Sequence, residues 1–267
     1  MPEGQRAGFP VYWRDFGTGP DTALLLHCAL AHSKAWAPLA ERLSDRLTMT
    51  APDLPGHGRS AAWDGRCAIH DQVTEIARDM IGAGGHVIGH SFGATVALRL
   101  ALEDPGKVRS LTLIEPVLFA AAGQSAPSVL KDYVMTSEAF GAALAAEDWA
   151  TAAADFIRIW GDGRAWPDLS DRERTTFASQ MPFIRETEPF LLHDTAGLLT
   201  EGRLETIACP TLLIRGQRTE PVITAIHATL ERRIPGAVDV VIDGAGHMVP
   251  ITHPDPVARH IRNLLDA

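Results

Sequence analysis

Cysteine is scarce in this chain. The three present in 267 residues, Cys28, Cys67 and Cys209, are odd in number, far apart and without CxxC spacing. That pattern suits neither a disulfide framework nor a thiolate zinc site, and the expected setting is a reducing cytoplasm. Histidines and carboxylates nowhere adopt HExxH-like or paired ligand spacing, so no metal and no dissociable cofactor are implied. Long apolar runs are also missing: none reaches the roughly 18 residues of a membrane-spanning helix. Met1 to Arg6 lack a basic start leading into an apolar stretch, so no signal peptide is expected. Basic charge is in the minority, with 24 Lys and Arg against 33 Asp and Glu and a net charge of −9. Without a basic run or a basic helix face, a nucleic-acid or anionic-membrane partner is disfavoured.

What is there centres on Gly89-His90-Ser91-Phe92-Gly93, a G-x-S-x-G pentapeptide. Residues 85–88 run into it as an apolar strand, and residues 94–102 leave it with helix-forming side chains and an apolar face. A strand-to-helix turn this sharp crowds the backbone at the serine, which small neighbours at Gly89 and Gly93 permit, and it points the Ser91 hydroxyl away from the sheet. A hydroxyl so placed is a nucleophile in need of a base. The competing reading, an incidental serine in a Gly-rich turn, has no use for these flanks.

The periodicity predicts strands over 11–16, 23–26, 47–51, 108–114, 211–216 and 238–242, and helices over 33–43, 69–81, 221–233 and 254–265. Strands and helices alternate, and several strands are wholly apolar, so a mostly parallel twisted sheet covered by helices on both faces is expected. Between 116 and 207 the pattern changes to Ala-rich helical stretches interrupted by Gly161-Asp162-Gly163 and Trp166-Pro167.

Four landmarks carry a resemblance to the α/β-hydrolase superfamily over nearly the whole chain. They are residues 24–29 (Leu-Leu-Leu-His-Cys-Ala), residues 53–60 (Asp-Leu-Pro-Gly-His-Gly-Arg-Ser), the turn around Ser91, and Gly244-Ala245-Gly246-His247 after the last strand. The resemblance implies an α/β-hydrolase core over 1–115 and 208–267, with residues 116–207 forming a helical lid inserted after the sixth strand. It implies His247 as the base, with His253 second and more suited to capping or packing the last helix. His90 reads as a packing or hydrogen-bonding residue, and His27 and His57 belong to structural turns that could edge the pocket.

The third member of a Ser-His-acid triad is open. The resemblance places an aspartate at a position where this chain has Thr219, which leaves Glu220, one residue later, and Glu115. Some members, haloalkane dehalogenases among them, take the acid from the end of the sixth strand, where Glu115 falls. A glutamate buried at the carboxyl edge of a parallel sheet needs a partner, and on that ground Glu115 is favoured over Glu220 as the alternative acid. For the oxyanion hole the elbow offers the Phe92 N–H, and the turn after the 23–26 strand offers Ala29, with Cys28 close behind. Cys28 stands where the family has glycine. As a thiol nucleophile it has no base beside it.

The expected activity is hydrolysis of a small ester, thioester or lactone through an acyl-enzyme. C–C bond hydrolysis on the same fold and a non-catalytic small-molecule-binding homologue are the alternatives. Trp149, Trp160, Trp166, Phe119, Phe140, Phe156 and Phe183 supply bulky apolar groups to the helical segment and favour a substrate with an apolar acyl or aryl part. Arg158, Arg164 and Arg185 are candidate anchors for an anionic group, although solvated positions suit them better. The partner is a small molecule, and the chain is expected to act as a monomer or homodimer.

Overall fold

A computed structural model describes residues 2–266. Eight strands form one sheet: β1 (Glu3–Arg6), β2 (Phe9–Phe16), β3 (Asp21–Leu26), β4 (Leu47–Pro52), β5 (Gly85–His90), β6 (Val108–Ile114), β7 (Thr211–Gly216) and β8 (Val238–Ile242). Their spatial order is β1-β2-β4-β3-β5-β6-β7-β8. The β1–β2 and β2–β4 pairs are antiparallel, and every pairing from β4 onward to β8 is parallel. The edge strand β1 has no counterpart in the sequence reading, because three polar residues and a glycine, mostly exposed, carry no apolar period.

The wholly apolar strands are explained by two cores. Leu24, Leu26, Val87, Leu111 and Leu113 enter one, and Leu25, Ile88, Ile114, Leu212 and Ile214 enter the other, so successive residues of a strand pack on opposite faces. Helices α2 (Ile69–Met80), α3 (Phe92–Glu103) and α10 (Pro221–Arg233) cover the first face. The second is covered by α1 (Ala37–Leu43) and α12 (Pro254–Leu265). The helix expected over 33–43 is divided: Ser33–Trp36 is a 3₁₀ turn, and α1 starts at Ala37 with Pro38 in its first turn.

Between β6 and β7 lie α4 (Phe119–Ser125), α5 (Pro127–Thr136), α6 (Glu138–Ala145), α7 (Trp149–Trp160), α8 (Asp171–Ser179) and α9 (Met181–His193). No strand occurs among them, and Gly161 ends α7 as the punctuation at 161–163 predicts. A Ser170/Glu173 capping box starts α8. Helix α4 is tied to α10, since Thr229 Oγ1 donates to the Ala121 carbonyl at 2.8 Å and Ser125 Oγ to the Ala225 carbonyl at 2.7 Å. Among the described residues no helix is long and apolar enough to cross a membrane.

Candidate active site

Ser91 occupies the β5–α3 turn with φ 56° and ψ −117°, a conformation that L residues rarely adopt. Its neighbours leave it no alternative. A Cβ at Gly89 would lie 2.4 Å from the Gly93 carbonyl oxygen, and one at Gly93 would lie 2.1 Å from the Leu26 carbonyl oxygen. Helix, turn and the adjacent strand therefore approach to a distance that only glycine allows. The Ser91 N–H donates to the Ile114 carbonyl at 2.8 Å, which locks the turn to the end of β6.

From this turn a hydrogen-bonded chain runs across three strand ends. Ser91 Oγ is 3.0 Å from His247 Nε2, and His247 Nδ1 is 2.9 Å from Glu115 Oε2. Ser91 is 6% exposed, His247 7% and Glu115 0%. The Glu115 backbone is itself in a left-handed conformation, with φ 51°, immediately after β6. Its carboxylate accepts from the Gly216 N–H at 2.7 Å and from Thr219 Oγ1 at 2.5 Å. Burial would raise this carboxyl, but the hydrogen bond and charge of His247, followed by the Thr219 hydroxyl and the Gly216 amide, outweigh it and hold Glu115 below its ordinary range.

Of the two candidate acids, the structure brings Glu115 to the imidazole. Glu220 is instead the N-terminal cap residue of α10, and the hydrogen-bond partner of His247 Nδ1 is Glu115. Thr219 has a part the sequence reading did not assign: it donates to Glu115 across 104 residues of chain. The β6–β7 register, Ile114 opposite Ile214, is what sets Glu115 beside Gly216 and the loop carrying Thr219. No local sequence signal reports that register.

Histidines surround the chain in fixed neutral forms. His90 Nε2–H donates to the His247 carbonyl at 2.9 Å, and burial, then the neighbouring His247, pushes its pKa down to about 3. This matches the hydrogen-bonding role read for it. His27 accepts the Leu54 N–H at Nε2 (3.0 Å) and donates from Nδ1 to the Cys28 carbonyl at 2.7 Å. His57 accepts the Leu30 N–H at 3.0 Å and donates to the Pro55 carbonyl at 3.0 Å. Burial lowers both, His57 to about 4, and a second ring proton would also displace a backbone N–H. Neither histidine lines the pocket; both brace the 28–31 loop from behind. His253 precedes α12 without a side-chain cap bond, its Nδ1 lying 2.8 Å from Thr252 Oγ1. Burial pushes the Cys28 thiol up to about 12, which keeps it protonated.

A cavity of about 440 Å³ opens above Ser91, with Ala29 and Phe92 in its wall. Phe92 is the first residue of α3, so its N–H has no carbonyl one turn back. The Ala29 N–H makes no hydrogen bond among the described residues. The rest of the wall is mainly apolar and comes largely from α4, α5, α6, α7 and α9. Of the aromatic residues singled out in the sequence, Phe119, Phe140, Phe156 and Trp160 line the cavity. The Trp160 ring also stands edge-on to His247, with centroids 4.8 Å apart. Phe183 packs instead between His57 and Phe92. Arg158, Arg164 and Arg185 are away from the cavity wall and pair with Asp155, with Asp162 and Glu173, and with Glu147 and Glu186. Among the described residues no group of three or more His, Cys, Asp or Glu side chains could hold a metal ion.

Comparison with known proteins agrees with this architecture. Residues 23–260 match the model of the alpha/beta hydrolase family, and the chain belongs to that family. It is similar to the lipase LipV of Mycobacterium tuberculosis, 29% identical over 257 residues that cover 93% of this chain and 94% of the lipase. It is also similar to a pimeloyl-[acyl-carrier protein] methyl ester esterase of Xanthomonas campestris, 31% identical over 264 residues covering 94% and 97% of the two chains. Among solved structures, an enol-lactonase from Burkholderia xenovorans superimposes with a TM-score of 0.71 at 20% identity, covering 100% of both chains.

Proposed function

We propose that the chain is a serine hydrolase that cleaves a small carboxylic ester, thioester or lactone through an acyl-enzyme. Action on ester bonds accords with relatives named lipase and methyl ester esterase. The observation that carries the mechanism is the contact chain from Ser91 Oγ through His247 to Glu115 at the floor of an apolar cavity. As Ser91 Oγ attacks the acyl carbon, His247 Nε2 takes its proton. Glu115 holds the Nδ1–H tautomer and stabilises the imidazolium that forms. Negative charge gathers on the carbonyl oxygen and is met by the N–H groups of Phe92 and Ala29, the former at the positive end of α3. His247 returns the proton to the leaving alkoxide, thiolate or lactone oxygen. It then draws a proton from the water that attacks the acyl-enzyme and passes it to Ser91 Oγ as the acyl–oxygen bond breaks and the acid is released.

In this reading residues 116–207 act as a lid. They close the cavity over the apolar part of the substrate, and a volume near 440 Å³ lies in the range of small-molecule sites. The test is hydrolysis of p-nitrophenyl esters from acetate to octanoate by the wild type and by Ser91→Ala. Turnover lost in the variant, with a chain-length optimum that sizes the cavity, is expected. Absence of turnover together with no fluorophosphonate labelling of Ser91 would remove the proposal and leave a non-catalytic binding protein.

A further inference from the structure

We infer that the cavity beside Ser91 selects its substrate by charge, favouring a cationic group over an anionic one of the same shape. The inference rests on the ester-hydrolase reading and narrows its substrate class. Among the described residues that line the cavity, the only acidic or basic side chains are Glu138 on α6 and Glu188 on α9, both solvent-exposed. No described Lys or Arg lines it. Neither glutamate has an ion-pair partner among the described residues. Arg185, one turn before Glu188 on α9, is engaged by Glu147 and Glu186 and lies over the Trp149 ring. Glu138 opens α6, whose positive end offsets part of its charge, whereas Glu188 lies within α9 and has no such offset.

The charge of Glu188 is felt at the wall of the cavity. Tyr133 lines it; burial raises its phenol most, a hydrogen bond with Ser137 works against that, and the charges of Glu188 and then Glu220 add smaller rises. Three rings face the same space: Phe119 stacks on Tyr133 at 4.5 Å, and Trp160 lies 6.0 Å from Phe119 and 6.1 Å from Tyr133. Aromatic faces and unpaired carboxylates attract an ammonium group. A substrate carboxylate entering here gives up water and finds no cationic partner.

The test uses one p-nitrophenyl arylpropanoate in para-tert-butyl, para-trimethylammonio and para-carboxylate forms, with Ser91→Ala as the background. The expected order of kcat/KM is cation, neutral, anion, with a cation-to-anion ratio of about tenfold or more at low salt that shrinks as salt is added. In the double variant Glu138→Gln/Glu188→Gln the ratio should collapse toward unity. An anion turned over as fast as the neutral ester, or a ratio that the double variant leaves intact, overturns the inference while the hydrolase reading stands. If no form is hydrolysed and Ser91 takes up no fluorophosphonate, both fall together.

Discussion

Glu115 shows how a charge is kept in an interior with no solvent contact. Its two oxygens receive an imidazole N–H, a hydroxyl and a backbone amide, and no bond in that set comes from its immediate sequence neighbours. Glu115→Gln preserves shape but removes the charge that supports the imidazolium. We expect it to lower kcat by about a thousandfold or more on the best p-nitrophenyl ester, with Glu220→Gln within about threefold of wild type. The reverse ranking would reassign the acid. Thr219→Val removes one of the three bonds and should cost about three- to tenfold in kcat with little change in KM. Equal loss of kcat and gain of KM would assign Thr219 to substrate binding.

The elements that carry these residues are held at separations set by glycine. Because a Cβ at Gly93 would enter the Leu26 carbonyl and one at Gly89 the Gly93 carbonyl, either Gly→Ala change must push α3 from β3 or unwind the Ser91 turn. Both variants are predicted to lose about 3 kcal/mol, read as a lowered midpoint in urea unfolding. A midpoint unchanged from wild type would mean that the turn is softer than its contacts indicate. The strand–turn–helix around Ser91 was legible in the sequence, because an apolar run, two glycines and a following stretch of helix-forming, mostly apolar residues are local patterns. How the 28–31 loop is braced was not legible. It depends on His27 and His57 acting as acceptors for backbone N–H groups, and histidine in a turn looks alike whether it braces a loop or faces a substrate.

At the scale of the molecule, His57 and His90 stay neutral in the fold down to about pH 4 and 3. The unfolded chain protonates histidines near their ordinary value of 6.5. Between those limits the unfolded state binds more protons, so stability falls as the pH is lowered through that window. Each such residue contributes about 1.4 kcal/mol per pH unit. Glu115, held below its ordinary value, adds stability that is present above that value and lost as the pH falls through its folded pKa. Chemical denaturation from pH 7 to 4 should show this decline, and His90→Asn should make it shallower without removing it. A wild-type curve flat over that range would contradict the assignment of neutral buried histidines.

The alternation of strands and helices and the turn around Ser91 were readable from the chain alone, since each is a pattern of neighbours within about a dozen residues, and the candidacy of His247 came from the resemblance that the Gly244–His247 turn carries. Which carboxylate meets the imidazole, what Thr219 does and which charges face the cavity were decided only in three dimensions. Glu115 and His247 are separated by 132 residues, and Glu138 and Glu188 sit on different helices. The β6–β7 register and the packing of helices between those strands bring such groups together, and both depend on contacts summed over the whole core.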